Sequence, residues 1–189
     1  KGTITSNFMP IGYSGFLSVC MKIGGINGIP ACQSFVYIGI LFATFWFLRV
    51  MGVNGILLIL GILAVAFHPV LLLNIWRIHD GNLTVLLLLG FLAGGISCMR
   101  FGRIRDFSIL GIIAGLLFIV RQNALPLFLV ALAFLKNKAE GEIKYLGKIV
   151  IFLIFAFVFM VGVNLALKQK PIYLGDQGFY NLFSGTNEY

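Results

Sequence analysis

From Pro30 to Leu167 the chain runs through six apolar segments, and every charged residue in that stretch falls in a break between two of them. The segments are Pro30–Leu48, Val53–Ile75, Leu83–Cys98, Phe107–Val120, Ala124–Leu135 and Ile149–Leu167. A helix needs about 20 residues to cross a hydrocarbon core of about 30 Å. The first, second and sixth segments meet that length directly, and the other three are short. With 60% hydrophobic and 11% charged residues among 189, there is too little polar surface to cover a core in water. A water-soluble globule, a disordered chain, a coiled coil and a disulfide-stapled secreted module are excluded. The solvent is a bilayer.

The net charge of +8 would suggest nucleic acid in a soluble protein. Here the basic residues sit in the short breaks, where membrane topology alone predicts them, so no nucleic-acid partner is expected. The fourth and fifth segments read as a hairpin turning at Arg121-Gln122-Asn123. Arg100, Arg103 and Arg105 precede the pair and Lys136 and Lys138 follow it. Two basic flanks belong on the cytoplasmic side, which requires an even number of crossings. One long helix would also bury Arg121 at mid-bilayer, at a cost of several kcal/mol.

Fixing that hairpin assigns the other breaks. Arg49, the Arg100–Arg105 cluster and the 136–148 loop are cytoplasmic, with 8 basic and 3 acidic residues. Lys1, Lys22, Arg77, Arg121, Lys168 and Lys170 are external, with Asp80, Asp176 and Glu188: 6 basic and 3 acidic. The richer side is inside, as expected. Residues 1–29 hold an interfacial segment, Phe8 to Lys22, too broken by Gly and Pro to span. Residues 168–189 read as an external loop of amides, glycines and aromatics. The expected architecture is therefore all-α and integral to a membrane: an interfacial segment, six transmembrane helices over 30–167, and an external C-terminal loop. The chain begins at Lys1 without a signal-peptide pattern and stops at Tyr189 within a polar stretch, and reads as an internal piece of a longer protein.

The turn Arg77-Ile78-His79-Asp80-Gly81-Asn82 concentrates polar and titratable groups between two spans. An interfacial loop with Trp76 in the aromatic belt and Arg77 on lipid phosphate explains any one of them. Together they point further. Arginine presents a planar fork that holds phosphate bidentately, so Arg77 and Arg121, at the outer ends of neighbouring hairpins, would clamp a phosphate at the membrane surface. Asp80 has three chemical roles open to it: holding Arg77, binding a divalent metal, or accepting a proton. It also suits a helix N-cap. His68 before Pro69 reads as a helix-packing histidine near a kink. Asn82-Leu83-Thr84 fits a glycosylation acceptor pattern that is common by chance. Cys20, Cys32 and Cys98 form no metal knuckle and read as buried thiols; if Cys20 and Cys32 face the same compartment, one disulfide stays open.

At these residues the chain resembles the GT-C superfamily of polytopic glycosyltransferases, the branches of protein O-mannosyltransferases and of bacterial aminoarabinose- and galacturonate-transferring enzymes above all. Met9-Pro10-Ile11-Gly12-Tyr13-Ser14-Gly15-Phe16-Leu17 is similar to the interfacial segment after the first external loop. His68-Pro69 through Asp80 is similar to the third helix with its Arg-x-x-Asp turn, and Gly115 through Ala124 to the helix and turn that carry a basic residue before a small one. Gly178 through Asn187 is similar to a loop of bacterial members. The resemblance implies transfer of a sugar from a polyprenyl-phosphate donor to an acceptor on the external face of a plasma (inner) membrane rather than the endoplasmic reticulum. It implies a general base on a loop upstream of Lys1, Asp80 as a second acidic position near donor phosphate or metal, and Arg77 and Arg121 as phosphate contacts, with His79 and Asn82 beside them. The partners expected are the lipid-phosphate sugar and membrane lipids. A transporter or lipid flippase is the alternative; it would place its ionisable groups near mid-bilayer, whereas here they lie at helix ends. A polytopic scaffold without chemistry is a third reading, in which Arg77, Asp80 and Arg121 point separately into headgroups.

Overall fold

A computed structural model describes residues 11–121, 124, 127, 130, 131 and 142–166, and all the regular structure among them is helical. That follows from the solvent: in hydrocarbon a backbone amide finds no water, and an open chain satisfies its amides only within a helix. Seven α-helices are described: α1 Ile11–Gly24, α2 Gly28–Val50, α3 Gly55–Ala66, α4 Pro69–Leu73, α5 Gly81–Phe101, α6 Ile104–Val120 and α7 Glu142–Ala166. Three helical stretches contain a length apolar enough to cross a membrane: Gly12–Val50, within which α2 supplies 23 residues, Gly81–Phe101 and Leu146–Val163. The expected external loop, the residues before Ile11 and most of the fifth segment lie outside the described residues.

The expected interfacial segment is helical from Ile11 and turns back on the first span. A 3-10 turn over Gly25–Asn27 links α1 to α2, and Gly25 supplies the positive φ of 60° that the reversal needs. Tyr13 reaches Gln33, and a Cβ on Gly28 would overlap the Cys20 carbonyl. Later residues of α1 thus meet earlier residues of α2, and the pair is an antiparallel hairpin.

The second expected span, Val53–Ile75, is not one helix. It breaks at Phe67 and His68, leaving α3 of 12 residues and α4 of 5. Pro69 lacks an amide hydrogen and excludes the residue before it from the α region; His68 accordingly has ψ 115° and becomes the N-cap of α4. His68 is exposed, which corrects the expected packing role. At about 1.5 Å per residue, α3 is ~18 Å long, and no residue of it is buried. The Tyr37 hydroxyl donates to the Ala66 carbonyl and ties its end to α2.

The third expected span is longer than its apolar run. α5 covers 21 residues and stops where Gly102 adopts φ 61°, the left-handed C-terminal stop that glycine favours. α5 and α6 then form a second antiparallel hairpin: the positions of Gly90 and Gly94 face Ile113 and Leu110. α6 ends at Val120, with Arg121 extended (φ −147°, ψ 99°). The expected turn at Arg121 thus coincides with a helix end.

α6 and α7 run parallel. A Cβ on Gly111 would stand 2.5 Å from the Phe152 carbonyl oxygen, and one on Gly115 2.6 Å from that of Ala156. Both sequence numbers rise together along the two helices. Small residues on one face let two helix backbones approach where lipid offers no hydrophobic drive. The core gathers Phe91, Cys98, Phe107, Leu110, Ala114, Ala131 and Phe152, with Leu127 packed against it.

Candidate functional site

The hairpins sort the charges into two ends. At one, Arg100 lies 3.9 Å from the Cβ position of Gly52, Arg49 hydrogen-bonds Asn54, and Lys148 lies over the Phe107 ring at 5.0 Å. Arg103 and Arg105 sit there too, between α5 and the first turn of α6. At the other end lie the start of α5 and the end of α6. Counting eight residues back from Gly90 and eight on from its neighbour Ile113 reaches Asn82 and Arg121. The two turns that carry the candidate residues therefore occupy one level of the bundle.

The Arg77–Asn82 turn is built by side chains that the apolar runs conceal. The Gln33 amide, fully buried in α2, donates through Nε2 to the Tyr13 hydroxyl at 3.0 Å and to the His79 carbonyl at 3.3 Å. It joins α1, α2 and the turn. The Asn82 amide, also fully buried, donates to the Leu71 carbonyl at 3.0 Å and ties α5 to α4. Gly81 sits tightly: a Cβ there would stand 2.9 Å from both Asn74 Nδ2 and His79 Nδ1, so those two side chains would have to shift. Gly12 closes the corner, since a Cβ on it would stand 2.8 Å from Ile119 Cγ2 and 2.9 Å from its backbone carbon. The N-terminal end of α1 thus abuts the end of α6 that carries Arg121.

Each expected site residue has a definite position. Arg77 is exposed on the turn and Arg121 is exposed at the end of α6. Arg77 and Asp80 make no ion pair, so the carboxylate does not hold the guanidinium. Asp80 occupies the N-cap position of α5 but makes no side-chain cap bond. His79 takes that part: the Gly81 amide donates to His79 Nδ1 at 2.9 Å. The same Nδ1 lies 3.5 Å from the Asp80 carboxylate, so His79 bridges the Gly81 amide and Asp80 at the start of α5. Asn82 is a structural tie with no exposed surface, in keeping with a chance match of Asn82-Leu83-Thr84 to the glycosylation pattern. No match to the chain is found among protein-family models, curated proteins or solved structures. Among the described residues no three His, Cys, Asp or Glu side chains come together as a metal site.

Sequence reasoning missed Gln33 and Tyr13. The available signal was a lone amide inside a 19-residue apolar run (Pro30–Leu48): a polar side chain at membrane depth is costly and needs a partner. A groove of about 440 Å³ between α2, α5 and α6 is lined by Phe42, Trp46, Leu86, Leu87 and Ile113 among others. It offers a chain-like apolar ligand contact area and no hydrogen bonds.

Proposed function

We propose that the chain belongs to an integral-membrane glycosyltransferase of the GT-C kind, which moves a sugar from a polyprenyl-phosphate donor to an acceptor at the external face. The observation that carries the reading is the shared level of the Arg77–Asp80 turn and Arg121: two exposed guanidinium groups and one carboxylate, from two hairpins, at the end away from Arg49, Arg100, Arg103, Arg105 and Lys148. A phosphate at the membrane surface suits such a pair, because each charge-assisted bond to it is about twice as strong as a neutral one. Arg77 and Arg121 hold the phosphate in this reading. Asp80, not engaged by either arginine or by the helix cap, remains available to accept a proton or a hydroxyl hydrogen bond. No step is assigned to a metal.

The same reading takes the membrane topology as six crossings with the Arg49, Arg100–Arg105 and 136–148 breaks cytoplasmic, in a plasma membrane. The parallel run of α6 and α7 supports an odd number of crossings between them, and so an even number from the Arg100–Arg105 cluster to the 136–148 break, and the separation of the basic residues by bundle end supports the orientation. The test is sugar transfer by the full-length protein in membranes with Arg77→Ala and Arg121→Ala. Loss of a hydrogen bond to a charged group costs about 1.5–3 kcal/mol, so each substitution should lower kcat/KM by roughly 10- to 100-fold. Unchanged kinetics in both variants rejects the clamp. Transfer lost by both together with equal loss of folded protein also rejects it, in favour of a structural role.

A further inference from the structure

We infer that Cys20 and Cys32 are a disulfide-forming pair that staples the α1–α2 hairpin. Three observations converge. Gly28 lies against the Cys20 carbonyl so closely that no side chain fits between, and Cys32 is one helical turn beyond Gly28, on the same face of α2. The Cys32 thiol is the neighbour with which the Cys20 thiol interacts. Both thiols are unoxidised here, and they differ in exposure: Cys20 is fully buried while Cys32 is half-buried. The closeness of the two backbones at Gly28 puts cysteines on adjoining faces of the two antiparallel helices within reach of one another, and a disulfide requires such an approach. Neither contributes to the phosphate site, so the pairing stands whether or not the glycosyl-transfer reading does.

The difference in exposure sets the order of events. The oxidant is an external disulfide of the glutathione class. The Cys32 thiol loses its proton to water and its sulfur attacks one sulfur of that disulfide; the external S–S bond breaks and one thiol leaves. The Cys20 sulfur, losing its own proton, then attacks Cys32 and expels the second thiol. Two protein thiols are oxidised by two electrons, and one external disulfide is reduced to two thiols. Closing the ring fixes α1 along α2, and with it the Tyr13 hydroxyl that accepts from Gln33.

The test uses the full-length protein in membranes, reduced, washed and then incubated with oxidised glutathione. Free thiols are blocked with N-ethylmaleimide, and the denatured protein is cut with trypsin, which cleaves after Lys22 and Arg49. The expected product is residues 2–22 joined to residues 23–49 through a reducible bond, with Cys98 carrying maleimide. Cys20→Ser should trap glutathione on Cys32 at tenfold or more above wild type, because nothing resolves the mixed disulfide. Cys32→Ser should leave Cys20 as free thiol. A wild-type protein that ends with both thiols free, or with a stable glutathione adduct on Cys32, overturns the inference; so does glutathione on Cys20 in the Cys32→Ser variant.

Discussion

Replacing Gly111 or Gly115 with alanine should force α7 away from α6, and the distance it must move follows from the structure. An alanine Cβ would stand 2.5 Å from the Phe152 carbonyl oxygen at the first position and 2.6 Å from that of Ala156 at the second. Ordinary contact begins near 3.4 Å, so α7 must retreat about 0.9 Å at one and 0.8 Å at the other. A radial gap of about 0.5–1 Å forfeits a quarter to a half of each dispersion contact along the seam, and overpacking of this size costs roughly 1–3 kcal/mol. For a chain of this length that lowers the melting midpoint by about 2–4 °C per kcal/mol. One retreat of α7 relieves both positions, so the double variant should lose less than the sum of the singles. The assay is thermal unfolding in detergent, read by fluorophore labelling of Cys98, which is buried in the core, with Cys20 and Cys32 replaced by serine. Gly147→Ala and Gly162→Ala serve as controls on α7, since a Cβ at either meets nothing within 4 Å. They should hold or raise the midpoint, because alanine favours helix over glycine by about 1 kcal/mol. Singles at Gly111 and Gly115 that melt with the wild type, or a strictly additive double, would refute the close parallel packing.

Gln33→Leu should destabilise the protein by about 1–3 kcal/mol in the same assay, since it strands the Tyr13 hydroxyl in a buried position; Tyr13→Phe, which leaves Gln33 its bond to the His79 carbonyl, should cost about 0.5–1.5 kcal/mol. Asn82→Asp places a carboxylate where there is no exposed surface and should lower the midpoint more than Asn82→Ala does, the difference shrinking at low pH as the carboxyl takes up a proton. Arg121→Lys in the full-length protein should recover only a small part of the transfer lost in Arg121→Ala, because a lysine cannot make the paired bonds of a guanidinium; full recovery would mean that charge alone matters there.

Helical structure was legible from hydropathy, and the grouping of basic residues at one end of the bundle from the breaks between apolar runs. The ends of α2, α5, α6 and α7 fall within a few residues of apolar-run ends, except where helix extends into polar sequence, as at Glu142 and Gly81. The hairpin end at Arg121 was readable because a buried arginine is costly. Two things were not. Hydropathy averages over Pro69 and so joined α3 to α4, although the proline's missing amide hydrogen carried the warning. Helix partners were not readable either: Gly111 and Gly115 look like two of many glycines until the carbonyls of α7 are seen against them. In the candidate site, the exposed arginines were found because charge is conspicuous in an apolar chain. Gln33 and Tyr13 were missed because a single amide and a single phenol barely alter a hydropathy average, and the roles of His79 and Asn82 depend on which neighbour each side chain meets.

Gly12 has a consequence for how motion would travel through this corner. Its bare Cα rests on the backbone of Ile119, two residues before Arg121. A shift of the N-terminal hairpin is therefore delivered directly to the guanidinium at the tip of α6, through atoms already in touch, although the two segments are far apart along the chain. Valine at position 12 would act as a wedge against Ile119, re-aiming Arg121 without touching it, and the first helix doubles as a lever on that end of the bundle.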